Sequence, residues 1–221
     1  MHDAVRALEC TRFIGCQQRK RSLWRAMPQI DANIVTIVSG LPRSGTSMMM
    51  RMLDAGGLSA LTEHVRKADA DNPRGYFEFE PVKKTKEDPS WLAQAGGRAV
   101  KMVYRLLYDL PPGREYRIIF MRRKLEEVVA SQDVMLSRRG RQGGNLSQDK
   151  LIGLFEQQLA EFDAWVGRQP SFKVLYVSYN DTLTNPSATV QAVNAFLGGG
   201  LDVAAMSKVV EPELYRQRGE S

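Results

Sequence analysis

The sequence predicts a three-layer α/β fold of P-loop-like type, a central mostly parallel sheet flanked by helices. Three observations predict it. Short runs rich in β-branched and aromatic residues alternate with longer stretches of helical periodicity, which is the pattern of a parallel sheet covered on both faces. The first run passes straight into a glycine-bounded turn and then a helix, the layout of a phosphate cradle. At 221 residues and 43% hydrophobic content, the chain can bury one substantial core without metals or disulfides, so a single domain over 1–221 is expected.

Residues 1–30 read as a basic N-terminal helical segment with a turn at Pro28. The first strand is expected at 34–39, where Ile, Val and Thr dominate, and a helix after Gly45. An insert between 58 and 98 separates it from a second strand at 99–104, and a third strand is expected at 117–121. Leu125, Val128, Val129, Gln132, Met135 and Leu136 share one helical face, and Leu151, Phe155, Leu159, Phe162 and Val166 share another. Between these helices, 137–145 is rich in Gly and Arg without periodicity and reads as a mobile loop. A fourth strand is expected at 173–177, and a last helix between Asn185-Pro186 and Gly198-Gly199-Gly200, with proline near its start and glycine as its stop. Residues 201–221 form a polar tail able to dock as a helix. There is no internal repeat.

The net charge of +6 is concentrated at 18–25 and 114–141 and favours anionic ligands. The two cysteines, Cys10 and Cys16, lack His or Cys partners at ligand spacing, so free thiols and no metal are expected. Neither a leader pattern nor an apolar run of membrane-spanning length is present, which points to a cytoplasmic protein. Trp24, Trp91, Trp165 and Met48–Met50 are assigned to core packing.

The turn Gly40-Leu-Pro-Arg-Ser-Gly45-Thr46-Ser47 nearly repeats the nucleotide-triphosphate P-loop, but Thr46 stands where that loop carries its lysine. The nearby cation is Arg43. The cradle for an anion is kept and the grip on outer phosphates is lost. In open α/β sheets ligands sit beyond the carboxyl ends of strands, which singles out this loop, Arg122-Arg123 after the third strand, and Lys101 near the end of the second. Ser131 follows Arg123 by eight residues, so an arginine at a strand end and a hydroxyl two turns into the next helix can converge on one anion.

On these motifs the chain resembles bacterial members of the sulfotransferase family that uses 3′-phosphoadenosine 5′-phosphosulfate (PAPS). Pro42-Arg-Ser-Gly-Thr-Ser47 is similar to the family's 5′-phosphosulfate loop, and Arg123 with Ser131 to its 3′-phosphate motif. Further similarity lies in Asn72-Pro-Arg-Gly-Tyr-Phe-Glu-Phe-Glu80, Leu125-Glu-Glu-Val-Val-Ala-Ser-Gln132, and Tyr179-Asn-Asp-Thr-Leu-Thr-Asn-Pro186 leading to Phe196-Leu-Gly198. The chain departs where many members have Arg-Asp-Pro or Arg-Asn-Pro and it has Arg123-Lys124-Leu125, which leaves Arg122 and Arg123 both open as the 3′-phosphate ligand. The late Arg-Lys-Gly clamp has only loose counterparts in Arg139-Gly140-Arg141 and Arg216-Gln217-Arg218-Gly219.

The resemblance implies a sulfotransferase moving a sulfuryl group by direct in-line displacement from PAPS to a hydroxyl or amine of a small-molecule, carbohydrate or peptide acceptor, with no metal. Arg43, Ser44, Gly45, Thr46 and Ser47 would hold the 5′ end of the donor, and Arg123 with Ser131 the 3′-phosphate. Arg43 is also the candidate for stabilising charge on the leaving oxygen. Glu63, Glu80 and His64 are the candidate bases for the acceptor proton, with the glutamates favoured. Tyr179 either contacts an adenine or closes a strand, and Glu126, Glu127 and Gln132 fit helix-dipole compensation and local helix contacts.

Two rival functions follow from the same residues. An atypical P-loop kinase or ATPase is disfavoured by the missing lysine and the lack of a strand-end aspartate for magnesium. A nucleic-acid-binding protein using the 138–144 stretch is disfavoured by the lack of interleaved aromatics, so no nucleic acid is expected. Oligomeric state has no signature in the sequence.

Overall fold

The computed structural model describes residues 33–63, 75–138, 140 and 146–210. Among these residues four strands, β1 (Ile34–Gly40), β2 (Ala99–Lys101), β3 (Glu115–Arg122) and β4 (Phe172–Ser178), form one all-parallel sheet in the order β2-β1-β3-β4. Among the described residues six α-helices accompany them: α1 (Thr46–Ala55), α2 (Leu125–Arg138), α3 (Gln148–Val166), α4 (Tyr179–Thr184), α5 (Pro186–Phe196) and α6 (Val203–Lys208). The expected α/β class and parallel sheet are what the chain adopts.

Alternation along the two central strands divides the core into two layers. Val35, Ile37, Ile118 and Phe120 face Val128 of α2 and Leu159, Phe162 and Val166 of α3. Val38, Ile119 and Met121 face the methionines of α1, Val190 and Val193 of α5, and Met206 of α6. Because both faces are covered, β1 is buried almost throughout and reads as a continuous apolar run rather than an alternating one. Met48, Met49 and Met50 are buried, as is Trp91, whose indole N–H donates to Thr85 Oγ1 at 3.0 Å.

Boundaries differ from the sequence reading in physically explicable ways. The second strand stops at Lys101 rather than 104. Met102 N–H still donates to Val38 O (3.0 Å), but the chain then turns into a 3-10 helix, Tyr104–Asp109, that buries Tyr104 and Leu107 against the same sheet face. β-prone residues were compatible with either conformation, and the packing of Tyr104 edge-on to Phe162 decides it. α2 runs through Ser137 and Arg138, two residues into the stretch expected to be loop. Residues 139 and 141–145, the 1–30 segment, His64 and 211–221 lie outside the described residues.

Helix starts after β4 are capped by side chains. Ser178 Oγ accepts from Asp181 N–H at α4, Asn185 Oδ1 from Ala188 N–H at α5, and Asp202 Oδ1 from Ala205 N–H at α6. Gly198, Gly199 and Gly200, all at positive φ, end the run after α5 as expected. Among the described residues no helix is long and apolar enough to cross a membrane.

Candidate functional site

The sheet order places the site. From β1 the chain crosses to β2 on one side and returns to β3 on the other, so β1 and β3 are neighbours whose connections leave in opposite directions. Crevices at such a switch point, beyond the carboxyl ends of the strands, are where open α/β sheets bind ligands. The loop after Gly40 and the Arg122-Arg123 pair after β3 both lie there, since Gly40 is in register with Met121.

The loop is tightly made. Gly40 sits at φ +147°, and a Cβ on it would lie 2.6 Å from both Met121 O and Ser44 Oγ. Ser44 is buried, and its N–H and hydroxyl both donate to Leu41 O, at 3.2 and 2.7 Å, so its side chain braces the turn from within. Left-handed residues flank it, Arg43 at φ +73° and Gly45 at φ +96°. A left-handed arginine costs about 1–2 kcal/mol of backbone strain, which the contacts of its side chain and carbonyl offset. α1 then starts at Thr46 without a side-chain cap. The first N–H groups of a helix have no intrahelical acceptor and form its positive end, and Thr46 and Ser47, half-buried, carry their hydroxyls there.

Three side chains distant in sequence meet on this loop. Arg43 Nε donates to Ser131 Oγ at 2.9 Å across 88 residues, and Arg123 Nη1 donates to the Arg43 carbonyl at 3.1 Å across 80. Arg123 Nε also donates to Glu127 Oε2 at 2.8 Å, with both side chains buried. Its guanidinium lies 4.7 Å from the centre of the Tyr179 ring. That ring also packs the loop, because a Cβ on Gly45 would fall 2.3 Å from Tyr179 Cδ2. Burial pushes the Tyr179 hydroxyl pKa above its ordinary value, against the pull of Arg123.

Arg122 takes the opposite course. Its Nη2 donates to both Asp163 carboxylate oxygens, at 2.5 and 2.7 Å, and its guanidinium lies against the rings of Phe120 and Tyr176. The Tyr176 hydroxyl donates to the same carboxylate at 2.7 Å; burial and that bond push its pKa up to about 12. Of the two arginines left open by the sequence, Arg123 is the one beside the loop.

A second group of predicted residues gathers at the β2 edge. Residues 59–61 run parallel beside β2, with Ala99 N–H donating to Ser59 O and Leu61 N–H to Ala99 O, which carries Glu63 to the same end of the sheet as the loop. Two strand spacings, about 10 Å, separate this line from β1. Glu63 N–H and the Thr62 hydroxyl both donate to Glu78 O. The Glu63 carboxylate accepts from Glu80 N–H at 3.1 Å, so these two candidate bases are neighbours, whereas the Glu80 carboxylate is paired at the surface with Lys83 at 2.7 Å. Lys101 Nζ donates to the carbonyl of Tyr76.

Sequence reasoning did not assign Glu127, Asn180 or the ring of Tyr179 to the loop. The four-residue spacing of Arg123 and Glu127 was a usable signal. Asn180, whose Nδ2 donates to Glu127 Oε1 at 3.0 Å, gave none. Among the described residues, no three His, Cys, Asp or Glu side chains gather to hold a metal.

No protein-family model matches the chain, and no curated protein matches it. Among solved structures it is similar to retinol dehydratase in complex with androsterone and the inactive cofactor PAP, at 14% identity and a TM-score of 0.46, covering 87% of this chain and 66% of that one. It is also similar to the sulfotransferase domain of the Synechococcus olefin synthase, at 14% identity and a TM-score of 0.46, covering 89% and 84%. A mouse sulfotransferase complexed with PAP gives 15% identity and a TM-score of 0.47, covering 84% and 66%. The chain thus spans just under two thirds of the length of retinol dehydratase and of the mouse enzyme.

Proposed function

We propose that this chain is a sulfotransferase that moves a sulfuryl group from PAPS to a hydroxyl or amine of a small-molecule, carbohydrate or peptide acceptor. The observation that carries the reading is the meeting of Arg43, Ser131 and Arg123 at the switch point between β1 and β3. A donor that carries anions on the 3′ and 5′ positions of one ribose needs two anchors side by side. A glycine loop opening an uncapped helix supplies one, and an arginine at the next strand end with a hydroxyl on its helix supplies the other.

In this reading Gly45, Thr46 and Ser47 hold the 5′-phosphate through backbone N–H groups and hydroxyls, Ser44 keeps the loop in shape, and Arg123 with Ser131 takes the 3′-phosphate. Arg43 donates to the bridging oxygen as charge develops there. The donor supplies the sulfuryl group: the acceptor oxygen or nitrogen attacks sulfur in line, and the departing 5′-phosphate oxygen keeps the bonding pair. The proton released from the acceptor passes to a carboxylate, for which Glu63 is the first candidate because it lies at the loop end of the sheet and its neighbour Glu80 is drawn to Lys83. His64, next in the chain, is assigned to the same task only by resemblance. A kinase reading meets Thr46 at the position of the missing lysine.

The test is calorimetric titration of the purified chain in EDTA with 3′-phosphoadenosine 5′-phosphate, beside 5′-AMP and magnesium-ATP. The reading expects preference for the bisphosphate, lost in Arg123→Ala and Ser131→Ala. Preference for magnesium-ATP, or binding of none of the three, overturns it.

A further inference from the structure

A buried ion pair is an expensive way to hold a helix to a loop, because an apolar pair of the same volume is usually as stable or more so. Arg123 and Glu127 form such a pair at 2.8 Å, and Glu127 is essentially without solvent exposure. Both Glu127 oxygens are used: Oε2 takes Arg123 Nε–H, and Oε1 takes the Asn180 amide. Asn180 belongs to α4, which follows β4, so the carboxylate ties the end of β3 and the start of α2 to the end of the neighbouring strand. On its other side the guanidinium lies over the Tyr179 ring, and its Nη1 holds the Arg43 carbonyl. An arginine fixed at Nε, at Nη1 and on one face has its donor plane set before any ligand arrives.

We propose that Glu127, braced by Asn180, is a positioning residue that sets the Arg123 guanidinium for a 3′-phosphate, so that preference for 3′-phosphorylated nucleotides over plain 5′-nucleotides is governed by a buried carboxylate that itself touches no ligand. The inference rests on the proposed function. Its physical content is direction rather than charge. The carboxylate offsets the attraction that Arg123 would offer to any anion, and what it adds is a guanidinium plane held in one orientation. An anion bound through a correctly aimed charged donor gains about tenfold or more in affinity over one met by a loose side chain.

Two charge-conserving variants test it, with affinities for 3′-phosphoadenosine 5′-phosphate and 5′-AMP measured by calorimetry on each. Glu127→Asp keeps the negative charge but withdraws it by one methylene, and Asn180→Ala keeps both charges and removes the brace. The bisphosphate-to-monophosphate affinity ratio is expected to fall about tenfold in the first and severalfold in the second, with 5′-AMP affinity unchanged within about twofold. A ratio unchanged in a folded variant, or equal loss for both nucleotides, overturns the positioning role. If Glu127→Asp does not fold, Asn180→Ala decides alone. A wild-type protein with no preference for the bisphosphate fails earlier and removes the sulfotransferase reading itself, so the two failures are distinguishable.

Discussion

Replacing Gly45 with alanine separates two demands that the loop places on one residue. Gly45 sits at φ +96°, and its added Cβ would lie 2.3, 3.0 and 3.2 Å from Cδ2, Cε2 and Cγ of Tyr179. The first demand is conformational and costs about 1–2 kcal/mol. The second is steric: the ring is buried, touches both the loop and Arg123, and cannot swing away without losing the Arg123 contact, so overpacking adds about 1–3 kcal/mol. Gly57 is the natural control, since it has nearly the same φ, +95°, with nothing within 4 Å of where an alanine methyl would sit. Gly57→Ala should therefore report the strain alone. At about 3 °C per kcal/mol for a chain of this size, Gly45→Ala should melt roughly 3–9 °C below Gly57→Ala in paired thermal scans. It should also weaken bisphosphate binding, which Gly57→Ala should not. Equal melting temperatures for the two variants would refute the packing of Tyr179 against the loop and the cradle geometry built on it.

Arg43→Ala should lower sulfuryl-transfer turnover by roughly 10²–10³, as the loss of one preorganised donor does elsewhere, and normal turnover in a purified variant would remove Arg43 from the chemistry. Glu63→Gln should reduce turnover by roughly 10²–10⁴ with bisphosphate affinity unchanged, whereas an equal effect from Glu80→Gln alone would move the base to Glu80. Arg122→Ala should leave nucleotide affinity within about twofold and cost under about 1 kcal/mol in urea unfolding, because its ion pair with Asp163 is partly exposed. Tyr176 ionises more easily unfolded, near pH 10, than folded, near 12, so its contribution to stability is complete below pH 10 and is lost as pH rises through 12. The gap in urea midpoint between wild type and Tyr176→Phe should accordingly narrow between pH 9 and pH 11.

How far the sequence could be read depended on whether an element declares itself locally. β1 and α1 were legible because a β-branched run, two glycines and a helical methionine stripe each have a local physical cause, and all three agree. The face of α3 was legible for the same reason, and Leu159, Phe162 and Val166 are buried as its period requires. The 99–104 run was not, because its end is settled by where Tyr104 packs, a tertiary fact. α2 shows the subtler limit. Its periodic face comprised Leu125, Val128, Val129, Gln132, Met135 and Leu136; Val128 and Val129 are buried as that face requires, but the other two buried positions are the polar Glu127 and Ser131. Periodicity finds apolar stripes and passes over a buried carboxylate and hydroxyl, here the groups that accept from Arg123 and from Arg43 of the loop.

That pattern bears on why the loop tolerates the absence of a P-loop lysine. A lysine at the position of Thr46 would project from the first turn of α1 and serve a phosphate chain extending outward from the cradle. Here the cations come from the loop itself and from the neighbouring strand: Arg43 crosses to Ser131 on α2, and Arg123 crosses back to the Arg43 carbonyl. The two arginines thus lace β1 to β3 over the crevice between them, with their charge set beside the loop rather than beyond its tip. Such an arrangement suits a ligand whose second anion lies sideways, on a ribose, better than one whose charge continues in line, as in a triphosphate. On the proposed sulfotransferase reading, restoring the lysine by Thr46→Lys should improve magnesium-ATP binding in calorimetry by less than about tenfold while Arg123 stays in place, and a larger gain would refute the idea that the second anchor, and not the missing cation, sets the preference.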